Sequence, residues 1–129
     1  MKPLFHPAAE DITVEGILHA LADPVRLHIF AQLATADSPL TCSPFLEVDG
    51  RPVPKSTLSQ HFGGLREAGL VRSERKGVEM HNTVRFEDLQ PRFAPLLQAI
   101  LEAHQAQTKD HPARKGRRAK VTGSRPAPG

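Results

Sequence analysis

The sequence contains no tryptophan, no tyrosine and a single cysteine, Cys42. One thiol cannot form an internal disulfide, so we expect a protein of a reducing compartment and predict a cytoplasmic location. No apolar run approaches the roughly 20 residues that cross a bilayer, and the first residues lack the apolar stretch of a secretory signal. We therefore predict a soluble protein without membrane association, whose core consists of aliphatic side chains and six phenylalanines.

The sequence also lacks the usual signatures of catalysis. It has no Gly-rich phosphate loop, no Gly-x-Ser-x-Gly motif and no complete set of metal ligands. Seven histidines are scattered without the spacing that metal ligands need. We predict that the chain is not an enzyme and that it holds no cofactor and no metal.

Positive charge is concentrated in two zones, although the net charge is only +3. Residues 51–76 carry six Lys or Arg against two acids, and residues 109–129 carry seven against one. The remaining segments are acidic overall. Two basic zones on an acidic body indicate a polyanionic partner, although a solvated basic surface would give the same counts.

Apolar residues recur at helical spacing in four segments, and a short fifth helix fits residues 41–47. The four segments are residues 12–21, 24–34, 56–68 and 87–107. Asp23 is suited to cap the second helix, and Pro24 is suited to its first turn. Arg26 follows this turn, where it could contact phosphate or, as we favour, pair with an acid of the fold.

Residues 70–86 contain two short strands around a Gly-containing turn, which predicts a β-hairpin. In its second strand, Val84 and Phe86 are expected on one face. The fold class is therefore mainly α with a small hairpin (α+β), with about five helices and a two-stranded wing. We expect a flexible arm over residues 1–10, one domain over 11–107 and a basic, disordered tail over 108–129.

A helix followed by a basic hairpin is typical of a winged helix-turn-helix, in which the helix enters the major groove and the hairpin contacts the flanking backbone. Residues 55–61 fit such a helix because every side chain except Leu58 can form hydrogen bonds and none is acidic. The candidate DNA-binding residues are Lys55, Ser56, Thr57, Ser59, Gln60, His61, Arg66, Arg72, Arg75 and Lys76.

Two blocks of the sequence resemble regulators of the ArsR/SmtB type. Ala-Leu-Ala-Asp-Pro-Val-Arg-Leu at 20–27 resembles the opening of their second helix, and residues 56–62 with 65–71 resemble their recognition helix and its exit into the wing. The resemblance covers roughly residues 12–105. It implies a homodimer that reads a two-fold symmetric operator in double-stranded DNA, usually as a repressor.

The resemblance further implies that the first and last helices form most of the dimer interface. The expected contacts are Ile12, Ile17, Phe93, Leu96, Leu97, Ile100 and Leu101.

Three features depart from this family. Residues 35–55 are rich in proline. Gly63-Gly64 interrupts the expected recognition helix. These glycines either allow close approach to DNA or to another helix, or are a weak spot that the helix tolerates. The metal sites known in the family are incomplete, because Cys42 stands alone where many members have Cys-x-Cys, and Asp88 and His104 lack their partners. Any effector is therefore unknown, and two alternatives stay open. One is a metal- or thiol-responsive repressor with an atypical site, and the other is a winged-helix module that binds protein.

Overall fold

The computed structural model describes residues 4–110, which form helices and two antiparallel hairpins. In chain order these are α1 (Val14–Leu21), α2 (Pro24–Thr35), β1 (Glu47–Val48), β2 (Arg51–Pro52), α3 (Lys55–Glu67), β3 (Val71–Lys76), β4 (Glu79–Val84) and α4 (Phe86–Asp110). Short 3-10 helices lie at Ala9–Asp11 and Ser43–Phe45. The α+β class is confirmed, with four α-helices in the described residues rather than about five. The predicted tail begins inside α4, and its part beyond residue 110 lies outside the described residues.

The hydrophobic core is shared by the helices, the 3-10 turn at 43–45 and the base of the β3–β4 hairpin. Phe45 and Phe62 meet in an edge-to-face arrangement with ring centroids 5.8 Å apart. Leu58, Phe62 and Leu65 repeat at three- and four-residue steps, which places the apolar side of α3 inside this core. Within residues 4–110, every helix is too short or too polar to span a lipid bilayer.

Side-chain caps determine where α1 and α2 begin. Thr13 accepts a hydrogen bond from the Gly16 amide at 3.0 Å, so α1 starts at Val14 rather than at Ile12 as predicted. The Asp23 cap is confirmed, because its carboxylate accepts from the amides of Val25 at 2.8 Å and Arg26 at 3.2 Å.

The expected helix over residues 41–47 is wrong. Proline cannot donate a backbone hydrogen bond, and with Pro44 the segment forms only a single 3-10 turn. The β1–β2 hairpin follows, and its turn places Asp49 and Gly50 at φ 55° and 79°, as expected for an Asp-Gly pair. Val48 of this hairpin is buried.

Two prolines inside α4, Pro91 and Pro95, escaped the sequence analysis. Each lacks the amide that would bond to the carbonyl four residues earlier. Both are exposed, and their four-residue spacing places them on one side of the helix. Water can therefore satisfy the carbonyls that lose a partner, and the helix continues to Asp110.

Four of the residues expected at a dimer interface are instead buried within the single chain. The exposed fraction of these side chains does not exceed 6%. They are Ile12, Ile17, Phe93 and Leu97. These four therefore pack in the core of their own chain and leave almost no surface for a partner subunit. Leu96, Ile100 and Leu101 are only partly buried, and for them the expectation stays a prediction.

Ile12 packs against the turn that connects α3 to β3. Gly69 lies in this turn with φ 84°, and a Cβ on it would overlap Cγ1 of Ile12 and lie 2.6 Å from its Cδ1. Glycine is thus required here both by the backbone conformation and by the close approach of Ile12. This contact ties the segment before α1 to the junction of the helix and the hairpin.

Gly69→Ala should lower the free energy of unfolding by about 2–4 kcal/mol, because it adds a left-handed backbone penalty and an overpacked contact. Gly77→Ala is the matched control, since Gly77 also has a positive φ of 65° but open space where a Cβ would stand, with no contact within 4 Å. It should cost only about 1 kcal/mol. Chemical denaturation measures both, and equal losses would show that the Ile12 contact is unimportant.

Candidate nucleic-acid interface

The N-terminal half of α3 presents an exposed polar surface. Lys55, Ser56, Ser59 and Gln60 are all exposed, whereas Thr57 is half-buried. The first turn of α3 contains no acid, so the partial positive charge of the helix N-terminus is not neutralised there. This surface offers an ammonium, two hydroxyls and an amide to a partner rich in negative charge and hydrogen-bonding groups.

His61, expected on this surface, is turned toward the protein. Its side chain is only 13% exposed, and Nδ1 lies 3.3 Å from Nη1 of Arg26 and 3.9 Å from the Asp23 carboxylate. The structure thus corrects the expected outward orientation of His61. The reason is the position of α2, whose N-terminal turn covers this side of α3.

Arg26 joins the three helices. Its Nε donates to the carbonyl oxygen of Ala20 near the end of α1 at 2.7 Å, while Nη1 meets His61 of α3. The expected partner was an acid, and this was wrong, since the side chain bonds to a carbonyl and a histidine. A Cβ on Gly64 would lie 3.4 Å from Cδ of Arg26. The second glycine of the Gly63-Gly64 pair therefore lies next to an arginine from another helix, at a distance where a Cβ would make an ordinary contact.

Arg66, a candidate DNA contact, is half-buried at the other end of α3. Its Nη1 donates to the Ser73 hydroxyl in β3 at 3.2 Å. Ser73 Oγ in turn donates to Oδ1 of Asn82 in β4 at 2.6 Å, and Asn82 Nδ2 donates to the Leu40 carbonyl at 3.0 Å. Burial lowers the pKa of Arg66. Arg66 therefore connects α3 to the hairpin instead of pointing freely into solvent.

Cys42 lies beside this polar group. Burial raises the pKa of its thiol, against the opposing influence of a hydrogen bond with Asn82 and of the Arg66 charge. A raised pKa disfavours the thiolate, which is the reactive and metal-binding form. Within residues 4–110, no three His, Cys, Asp or Glu side chains converge on a possible metal position.

The β3–β4 hairpin, which we call the wing, carries the remaining candidate cations. Arg72, Arg75 and Lys76 are all exposed. Arg72 lies 3.5 Å from the Asp88 carboxylate, and Lys76 lies 3.8 Å from Glu74. Such exposed pairs contribute little to stability, so these cations can exchange their partners for phosphate.

The sequence analysis missed the buried polar residues at the base of the wing. Asn82 has no exposed surface, Ser73 is 4% exposed and Arg85 is 6% exposed. Arg85 binds Asp88 through Nε at 3.0 Å and Nη2 at 2.9 Å. The sequence contained one signal for the buried position of Asn82. Side chains two positions apart in a strand lie on the same face, so Asn82 shares the buried face of β4 with Val84. The expectation that Val84 and Phe86 lie on one face of the second strand is wrong, since Phe86 begins α4 and is exposed.

A family model described as a helix-turn-helix domain matches residues 21–74, from the end of α1 into β3. The curated HTH-type transcriptional repressor SmtB of Mycobacterium tuberculosis is 40% identical over 75 residues, which cover 57% of this chain and 53% of that protein. The chain thus spans about half the length of the curated relatives it matches.

Two solved structures share the fold. A crystal structure of a Mycobacterium tuberculosis protein has a TM-score of 0.52 at 26% identity, and it covers 73% of this chain and 90% of the other. A crystal structure of an ArsR family transcriptional regulator has a TM-score of 0.53 at 22% identity, with 74% and 96% covered. Fold and site together define a winged helix-turn-helix protein. The matches to a helix-turn-helix model over residues 21–74 and to SmtB over 75 residues agree with the resemblance that the two sequence blocks indicated.

Arg26→Lys and Arg26→Leu should both lower the free energy of unfolding by about 1–3 kcal/mol, because each leaves the Ala20 carbonyl without its Nε donor. The matched control is Arg51→Leu in the exposed β2 strand, which should change stability by less than about 0.5 kcal/mol. Chemical denaturation compares the three variants. Full stability of Arg26→Lys would mean that charge, and not the hydrogen-bond geometry, is what matters.

Proposed function

We propose that this chain is a sequence-specific DNA-binding protein that acts as a dimeric transcriptional repressor. The observation that best supports this proposal is that the N-terminal half of α3 is exposed and free of acids, and lies beside a wing with three exposed cations. In winged helix-turn-helix proteins such a helix enters the major groove, and the wing lies against the flanking backbone. The repressor name of the curated relative supports repression as the outcome.

The proposed roles follow from side-chain chemistry. Gln60 is suited to a bidentate contact with adenine, and Lys55 to guanine or phosphate. Ser56 and Ser59 can bond to base edges or to phosphate oxygens, and Thr57 can do so from its half-buried position. The wing cations Arg72, Arg75 and Lys76 would contact phosphates, which position the protein without reading the sequence.

His61 and Arg66 have supporting roles in this proposal. Both are held by hydrogen bonds within the fold, His61 to Arg26 and Arg66 to Ser73. They orient α3 relative to α2 and to the wing. A DNA contact by either side chain would have to break those bonds first.

A homodimer is part of the proposal because two-fold symmetric operators require two copies of the reading helix. In α1, the apolar side chains Val14 and Leu18 are 43% and 49% exposed. In α4, Leu96, Ile100 and Leu101 are partly buried against the core. We propose these residues, in place of the four buried ones, as the apolar contacts between subunits.

The proposal assigns no catalytic activity and a cytoplasmic location. It names no metal or small-molecule effector. Burial of the Cys42 thiol favours a packing role over a thiol switch.

Gln60→Ala should weaken binding to an operator obtained by in vitro selection by about 1–3 kcal/mol without changing the salt dependence, because a base contact is lost. Lys76→Ala should instead reduce the slope of log K against log salt by about 1, because one phosphate contact is lost. Fluorescence anisotropy over a salt series separates the two effects, and Gln32→Ala on the exposed side of α2 is the control.

Three results would overturn this proposal. They are failure to select any DNA sequence, binding that does not depend on salt, and a Gln60→Ala protein that binds as well as the parent. Salt-independent binding to a protein partner would favour the interaction-module alternative.

Leu18→Glu should shift the dimer toward monomer by at least about tenfold in dissociation constant, because it places a charge in an apolar interface. Val78→Glu is the matched control, since Val78 at the wing tip is fully exposed and lies outside the proposed interface. Sedimentation velocity over a range of concentrations measures both. Equal behaviour of the two variants would remove α1 from the interface.

A further inference from the structure

A side chain of the N-terminal segment forms a hydrogen bond with the wing. The Ser73 amide donates to Nε2 of His6 at 3.1 Å, across 67 positions of the sequence. We infer that His6 is a positioning residue that fastens residues 4–8 to the wing, and that protonation of its ring releases this segment. The inference extends the proposed function, since the wing is proposed to contact DNA, but the release itself does not depend on it.

The hydrogen bond requires a neutral imidazole. A ring nitrogen can accept only if it carries no proton, so Nε2 is the bare nitrogen and Nδ1 carries the hydrogen. The ring also has a hydrogen bond with the backbone of Leu4, which steadies its orientation. A second proton on the ring would convert Nε2 into a donor that faces the Ser73 amide, which is also a donor.

The bond is part of a chain of contacts that reaches α3. Ser73 pairs with Asn82 across the wing, and the two side chains are hydrogen-bonded at 2.6 Å. The Ser73 hydroxyl also accepts from Arg66 of α3. The same residue thus bonds to the N-terminal segment through its amide and to the helix and β4 through its hydroxyl.

The charges that face the ring oppose its protonation. They are Arg66 from α3, Arg72 from β3 and Arg85 before α4. Burial, and then the charges of these arginines, lower the pKa of His6 below its ordinary value of 6.5. Asp88 of α4 pairs with two of these arginines, with Arg72 at 3.5 Å and with Arg85 at 2.9 Å.

The direction of the pH dependence follows from this lowered pKa. A released segment binds a proton at the ordinary pKa of 6.5, whereas the attached segment binds it only at lower pH. The equilibrium constant for attachment therefore has its full value well above pH 6.5. It decreases as the pH falls below that value, by at most about tenfold per pH unit for one proton.

The test is an amide hydrogen-exchange measurement by NMR on the full chain, from about pH 8 to about pH 5.5. His6→Gln is the matched variant, because its side-chain oxygen can accept the same bond and does not titrate. His6→Ala removes the acceptor. We expect the protection factor of the Ser73 amide to fall in the parent between these limits, by at most about tenfold. It should stay constant in His6→Gln, and it should be low at every pH in His6→Ala.

Two outcomes of this experiment would refute the release. One is the same pH dependence of Ser73 protection in the parent and in His6→Gln, which would place the titrating group elsewhere. The other is unchanged protection in His6→Ala, which would mean that His6 does not hold the amide.

A second measurement tests whether the attachment positions the wing. The affinity of the parent for a selected operator is divided by that of His6→Gln, so that protonation of other histidines cancels. We expect this ratio to fall by about threefold or more from pH 8 to pH 5.5. A constant ratio would refute the positioning role. If neither protein binds DNA, the proposed function fails while the Ser73 measurement still decides the release.

Discussion

The orientation of α3 depends on one guanidinium, that of Arg26. It bonds to a carbonyl near the end of α1, extends from the first turn of α2 and meets His61 of α3. The arginine stem lies close to Gly64, where a Cβ would stand in ordinary contact with it at 3.4 Å. The apolar side of α3 determines that the helix packs on the core, but apolar contacts are not directional. The hydrogen bonds of Arg26 supply direction, and with it the exposed side that the helix presents.

A second polar group determines how the wing joins α3. Arg66, Ser73 and Asn82 form a continuous hydrogen-bonded series from helix to strand to strand, and Asn82 extends it to the backbone at Leu40. Because buried polar groups are costly when unpaired, this arrangement tolerates few alternatives. The helix and the wing are therefore joined by a continuous series of hydrogen bonds, and the proposed contacts with a groove and its flanking backbone depend on their relative placement.

Much of the fold could be predicted from the sequence because its signals are local. Asp23-Pro24 provides both the cap and the first turn of α2, and the glycine after Ala68 is the residue type that commonly ends a helix. The β1–β2 hairpin escaped prediction because two-residue strands carry almost no periodic signal. Candidate interface residues could not be separated from core residues for a different reason. Ile17 and Leu18 are neighbours in a helical apolar pattern, and only packing decides that Ile17 is buried while Leu18 is half exposed.

By itself, the sequence determined the class of fold, the location of the basic segments and the residues that could face a polyanion. These properties follow from periodicity, caps and composition, which act over a few positions of the chain. Only the tertiary structure decided which of these residues are exposed and which are held by hydrogen bonds within the fold. His61 and Arg66 can form hydrogen bonds, as the exposed candidates can, yet residues 35 and 7 positions away hold them within the fold. The single thiol is likewise placed by the fold, which buries it beside Asn82 and raises its pKa.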